Sequence, residues 1–141
     1  MTPWLVYAAA AALLYGLHQV FTKLAANRIG DGVGALVVEG TAVLAILVYL
    51  AVLRFSGHWN QPVTRDGLAW SVLTGVCVGL GTVAFFLLFQ RGGPLSAVPG
   101  ILAVGAALMA LVGLLVFREG VTFSRLLGIA LSVCGLYLLR K

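Results

Sequence analysis

Five uninterrupted apolar runs, each close to the length that crosses a lipid bilayer, take up almost the whole chain. A crossing helix needs about 20 apolar residues, because each residue rises about 1.5 Å and the hydrocarbon core is about 30 Å thick. The runs are residues 4–26, 32–53, 67–90, 94–117 and, slightly short, 122–139. They are continuously apolar and do not alternate, which favours an α-bundle over a β-barrel. Composition leads to the same place. The 141 residues are 62% hydrophobic and 9% charged, whereas soluble domains average about 45–50% apolar and 25% charged. A soluble core of this size cannot hide so much apolar side chain. The expectation is an all-α integral membrane protein in which residues 1–141 form one transmembrane domain with lipid as its solvent.

The punctuation between the runs is chemical. Pro3 suits the first position of the first helix. Residues 27–31 make a turn, Thr64-Arg65-Asp66 leads into the third run, and Gly92-Gly93-Pro94 makes a tight turn before the fourth. The only sizeable loop is 55–66, with His58, Trp59 and Pro62. No positively charged segment precedes the first run, and that run is too long for a signal peptide's apolar region, so it reads as an uncleaved first span. Pro99, followed by Gly100, cannot donate to the Leu95 carbonyl and is expected to loosen the start of the fourth helix.

With five spans the termini lie on opposite sides. Let side A be the N-terminal one. Side A then carries Arg54, Arg65, Arg118 and Arg125, and side B carries Lys23, Arg28, Arg91, Arg140 and Lys141. Orientation follows an imbalance of Lys and Arg between the sides, and four against five is hardly an imbalance. The sequence therefore does not specify one orientation, and dual topology is the sharper expectation. Trp4, Trp59 and Trp70 all fall on side A, so an up–down pair would have an aromatic belt at both faces. The net charge of +5 comes from residues at the run ends. It suits phospholipid head groups; scattered basic residues with no recognition motif exclude nucleic acid as a partner. Cys77 and Cys134 lie inside apolar runs without metal-ligand or disulfide spacing and read as packing residues. No metal cluster, phosphate loop or nucleophile–base spacing appears, and His58 stands alone in its loop, so neither an enzyme nor a cofactor is expected.

Residue types in sequence order now resemble a known family. Tyr15-Gly16 followed by Lys23 is similar to the aromatic-Gly…Lys pattern of the first helix of EamA-type transporters. Gln90-Arg91-Gly92-Gly93-Pro94-Leu95-Ser96-Ala97 resembles their short connection between third and fourth helices. Phe117-Arg118-Glu119-Gly120-Val121-Thr122 resembles their Gly-Glu-x-x-Thr link, and Gly128 with Gly135 matches the final helix's Gly-x6-Gly. The whole chain looks like a single five-span EamA-type half of the drug/metabolite transporter superfamily. Two positions depart: Val104-Gly105 stands near the family's fourth-helix proline, and Glu39 stands about where many relatives have an arginine. The resemblance implies one half of a ten-helix inverted-repeat architecture, completed as an antiparallel homodimer. It also implies a multi-pass protein of the cell membrane, in a prokaryote the inner membrane, that moves a small molecule.

Candidate site residues come from the runs themselves. At about 100° per residue, Tyr15, His18, Gln19 and Thr22 share one arc of the first helix, with Ala8 and Ala11 on the same face. This reads as one wall of a polar cavity. Glu39 is the only carboxylate well inside a run; it and His18 lie roughly 10 and 12 Å from the side B ends of their helices at 1.5 Å per residue. An ionisable side chain at that depth is costly and is a functional candidate. The expectation is that Glu39 binds a proton or a cationic substrate with His18 as partner. A structural pair, also involving Lys23, is the plainer alternative. Gly75 and Gly79, with Thr82, form one small-residue surface, and Gly128, Ser132 and Gly135 another, the latter expected at a dimer seam. The reading is a secondary transporter of a small metabolite or drug-like solute with alternating access. A non-transporting scaffold and a lipid flippase of the same fold are the alternatives.

Overall fold

The computed structural model describes residues 3–118 and, beyond them, Gly120, Thr122, Phe123, Leu127, Gly128, Ala130, Leu131, Cys134 and Tyr137. The chain divides into two compact units, Met1–Gly92 and Gly93–Lys141. Four helices of the described residues are long and apolar enough to cross a membrane. Only scattered positions of the fifth run, residues 122–139, are described, so that span as a continuous helix, the five-span count and the ten-helix assembly lie outside the described residues.

The first unit holds α1 (Pro3–Ala26), α2 (Asp31–Phe55) and α3 (Arg65–Gln90). Short-range chemistry sets each end. Pro3 opens α1, its fixed φ already helical and its missing N–H no loss in the first turn. Asp31 places a negative charge at the positive end of the α2 dipole. At the far end of α2, Gly57 takes φ 75°, and the His58 amide reaches back 3.1 Å to the Leu53 carbonyl. That pair of features is a glycine-terminated helix end, in which the positive φ turns the chain so that an orphan carbonyl is satisfied. Thr64 then caps α3, its Oγ1 accepting from the Gly67 amide at 3.1 Å. Gly92, at φ 85°, follows the end of α3.

The three helices run up, down and up, and their packing is concentrated at one end. The buried residues are Gln19, Thr22 and Ala26 of α1, Gly34 and Ala35 of α2, and Thr82, Phe86 and Phe89 of α3. All lie toward side B, where α1 and α3 finish and α2 begins. Two contacts join the helix ends there. The Gln90 amide Nε2 donates to the Ile29 carbonyl at 3.1 Å, and the Lys23 ammonium sits 5.1 Å from the Phe89 ring centre, within cation–π range. Toward side A the helices expose long apolar side chains such as Leu5, Leu47 and Leu73. Trp4, Trp59 and Trp70 are also exposed at that end, where amphipathic rings suit the head-group level. Cys77, in this unit, and Cys134, in the second, are both exposed, so neither is packed in the interior of its own unit.

Outward-facing hydroxyls are satisfied within their own helices. Thr41 donates to the Val37 and Val38 carbonyls, Ser71 to Gly67 and Thr74 to Trp70. In a medium that offers no hydrogen bonds, this keeps a polar side chain from being left unpaired.

In the second unit, a single 3-10 turn, η1 (Leu95–Ala97), leads into α4 (Val98–Leu115). The expected loosening by Pro99 does not arise. Pro99 stands in the first turn of α4, where helix amides have no intrahelical acceptor to lose. The Leu95 carbonyl instead accepts from the Val98 amide.

Candidate functional site

Glu39 sits two turns into α2, at the level where α3 passes beside it. The Thr82 hydroxyl donates to Glu39 Oε1 at 2.6 Å, a short hydroxyl–oxygen bond. The same hydroxyl lies 3.0 Å from the Val78 carbonyl of its own helix. Thr82 is buried and Glu39 half-buried. A carboxylate taken out of water needs such a partner, because an unpaired buried charge is far more costly than a buried amide. Sequence depth pointed to His18; the structure supplies Thr82. The signal was present, since Glu39 is eight residues from Asp31 and Thr82 eight from Gln90, and antiparallel neighbours at equal distances from a shared end lie level. Thr82 was assigned instead to a small-residue packing surface.

The α1 residues divide. Gln19 and Thr22 are buried, with 7% and 2% of their surface accessible, while Tyr15 is 65% exposed. The arc is therefore not one wall: its side B half turns inward and Tyr15 looks out. Thr22 donates to the His18 carbonyl at 2.8 Å. His18 meets Tyr15 edge-on, ring centres 6.5 Å apart. Two buried polar atoms, His18 Nδ1 and Gln19 Oε1, have no hydrogen-bond partner. Buried polar atoms are paired in the great majority of cases, so these two stand out.

Close packing is found where the sequence pattern did not point. A Cβ added to Gly34 would come within 2.5 and 2.7 Å of two Phe86 ring carbons, so only glycine lets the fully buried Phe86 lie across α2. At Gly75, Gly79 and Gly128 the same Cβ would meet nothing within 4 Å, so space within the chain does not require glycine there. Ser132 and Gly135 lie outside the described residues. Gly34 was missed because Gly32, Gly34 and Gly40 share one short stretch and nothing in their spacing singles one out.

The Glu39–Thr82 bond is open to a direct test. Thr82→Val keeps the shape and removes the donor. Hydrogen bonds to charged groups contribute about 1.5–3 kcal/mol, and the expected result is a lower melting temperature in detergent that Thr82→Ser restores. Equal stability of Thr82→Val and the native protein would mean that the bond contributes nothing.

Membrane-length helices enclosing a hydrogen-bonded carboxylate define a multi-pass membrane protein with an ionisable group inside its spanning part. A family model described as the EamA-like transporter family matches residues 2–141. The chain belongs to the EamA-like transporter family, which bears out the resemblance of its motifs to EamA-type members of the drug/metabolite transporter superfamily. A transporter-type function follows at that coarse level. No match is found among curated proteins or among solved structures.

Proposed function

We propose that this protein is a secondary transporter of a small metabolite or drug-like solute, working by alternating access as an antiparallel homodimer. The observation that carries the reading is Glu39: a carboxylate inside a membrane-length helix, bonded to Thr82, on a unit whose buried His18 Nδ1 and Gln19 Oε1 have no partner. A scaffold has no need of an ionisable group at that depth, whereas a transporter needs groups that bind and release. Glu39, with His18, Gln19 and Thr22, is the proposed binding site for a proton or solute; Tyr15 belongs at its edge. The homodimer is supported by the near-equal basic residues of the two sides. Gly75 and Gly79, with open space in front of them, suit close approach by a helix of a second copy. Gly128, Ser132 and Gly135 are proposed for the seam on sequence alone.

Two measurements test this. A thermal-shift screen of small metabolites on the purified protein, followed by flux in proteoliposomes, tests transport; the expected result is at least one stabilising solute that is also carried. C-terminal reporter fusions, one active only in the cytoplasm and one only outside, test the dimer. Both are expected to give signal, and two or three lysines added to one side should shift the population to one orientation. A strongly one-sided native result would rule out the simple antiparallel homodimer.

A further inference from the structure

A groove of about 670 Å³ runs between α1 and α2. We propose that it holds an acyl chain of an anionic phospholipid from the side B leaflet, with the lipid phosphate against Arg28.

The walls are hydrocarbon. Leu14, Leu17 and Phe21 of α1 face Val38 of α2, and the small side chains of Ala42 and Ala45 leave the space open. His18, Thr22 and Thr41 also line it; both hydroxyls are bonded to carbonyls of their own helices, and the unpartnered His18 Nδ1 is buried rather than open to the groove. The two hydroxyls are satisfied without a polar ligand, and the groove borders the proposed binding site, with which it shares His18 and Thr22.

Length and width both fit a lipid chain. From Leu14 to Ala25 the groove follows α1 for roughly 16 Å at 1.5 Å per residue. One leaflet's share of a hydrocarbon core about 30 Å thick is about 15 Å. Spread over that length, 670 Å³ gives a cross-section of roughly 40 Å². A helix with its side chains is about 10–12 Å across, roughly 80–110 Å² in section. It would cover this groove without entering it, whereas one or two hydrocarbon chains enter.

The charge is at the correct end. The groove positions on α1 recur at helical spacing through Phe21 and Ala25, and the next position in that series is 28. The Arg28 amide still bonds the Ala25 carbonyl at 2.8 Å, so the backbone carries the stripe one step past the helix. Arg28 is exposed there, at the side B head-group level. A basic side chain at a membrane surface attracts anionic lipid by about 1 kcal/mol. A phospholipid whose chain lies in the groove brings its phosphate to that point.

The site is tested on the full chain purified in mild detergent, with phosphatidylglycerol or phosphatidylcholine of identical chains added. Bound lipid is read by native mass spectrometry and stability by melting temperature. The native protein is expected to retain phosphatidylglycerol in preference to phosphatidylcholine. Ala42→Phe fills the groove and should cut retained lipid at least tenfold while leaving the helical content unchanged. Arg28→Gln, a surface change, should keep lipid bound but lower the preference for phosphatidylglycerol about fivefold. Inorganic phosphate alone should not stabilise the protein; equal stabilisation would make Arg28 a simple anion site and overturn the proposal. Native-like lipid retention by Ala42→Phe would overturn it too. So would loss of dimer, with lipid retention unchanged, which would give the groove to a second copy. Should Ala42→Phe fail to fold, an unchanged lipid preference in Arg28→Gln is by itself enough to overturn it.

Discussion

Glu39→Gln is expected to leave the fold nearly as stable as the native protein and to abolish proton-driven flux, by at least tenfold. The amide has the size of the carboxylate, and its oxygen can still accept from the Thr82 hydroxyl that now lies 2.6 Å from Glu39 Oε1. What is lost is the ability to take up and release a proton. The protein should therefore still bind its solute, with binding that no longer varies with pH. A purely structural Glu39 predicts the reverse: a lowered melting temperature with any coupling intact. Melting temperature and flux measured on one preparation from about pH 5.5 to 8.5 separate the two. Full proton-driven transport by a well-folded Glu39→Gln protein would remove Glu39 from the mechanism.

Gly34→Leu is expected to be the most destabilising single change in the first unit. Between helices in lipid there is no hydrophobic driving force, since acyl chains are as apolar as leucine. Association then depends on close fit and on the few polar bonds. At Gly34 even a Cβ would come within 2.5 Å of the Phe86 ring, and the ring is fully buried, so it has no free side to move into. Overpacking by single methylenes costs about 1–3 kcal/mol, and a leucine adds several. The change should force α2 and α3 apart, lengthening the Glu39–Thr82 bond as well. Gly34→Ala should show the same effect at smaller size, despite alanine's better helix propensity. Adding Phe86→Leu to Gly34→Ala should recover part of the loss, a coupling that a double-mutant cycle reads directly. Additive losses would mean that the two residues do not meet.

Much of this molecule is legible in its amino-acid sequence. The four described helices coincide closely with apolar runs, and their ends fall at Pro3, at the Gly57 turn and at the Thr64 cap. The depth of Glu39 and the polarity of the Gln19–Thr22 turn were also readable. The partner of Glu39 was not, nor was the division of the α1 arc into buried Gln19 and exposed Tyr15. Pro99 was misread because its effect depends on where α4 begins. A proline inside a helix breaks a bond, and the same proline in the first turn breaks none.

The division has a physical cause. In a bilayer every backbone amide and carbonyl must be satisfied within its own helix, so helix formation is a local decision and the amino-acid sequence alone determined it. Which face of each helix turns inward is a different matter. In water a polar face marks the outside. Here the inner faces are apolar with a few polar groups, and the lipid-facing sides of α1, α2 and α3 are apolar too, so hydropathy barely distinguishes them. The rotation of each helix was decided by tertiary fit: Phe86 across Gly34, Thr82 on Glu39, Lys23 over Phe89. Those contacts join residues that no spacing in the chain relates, and only the folded structure brings them together.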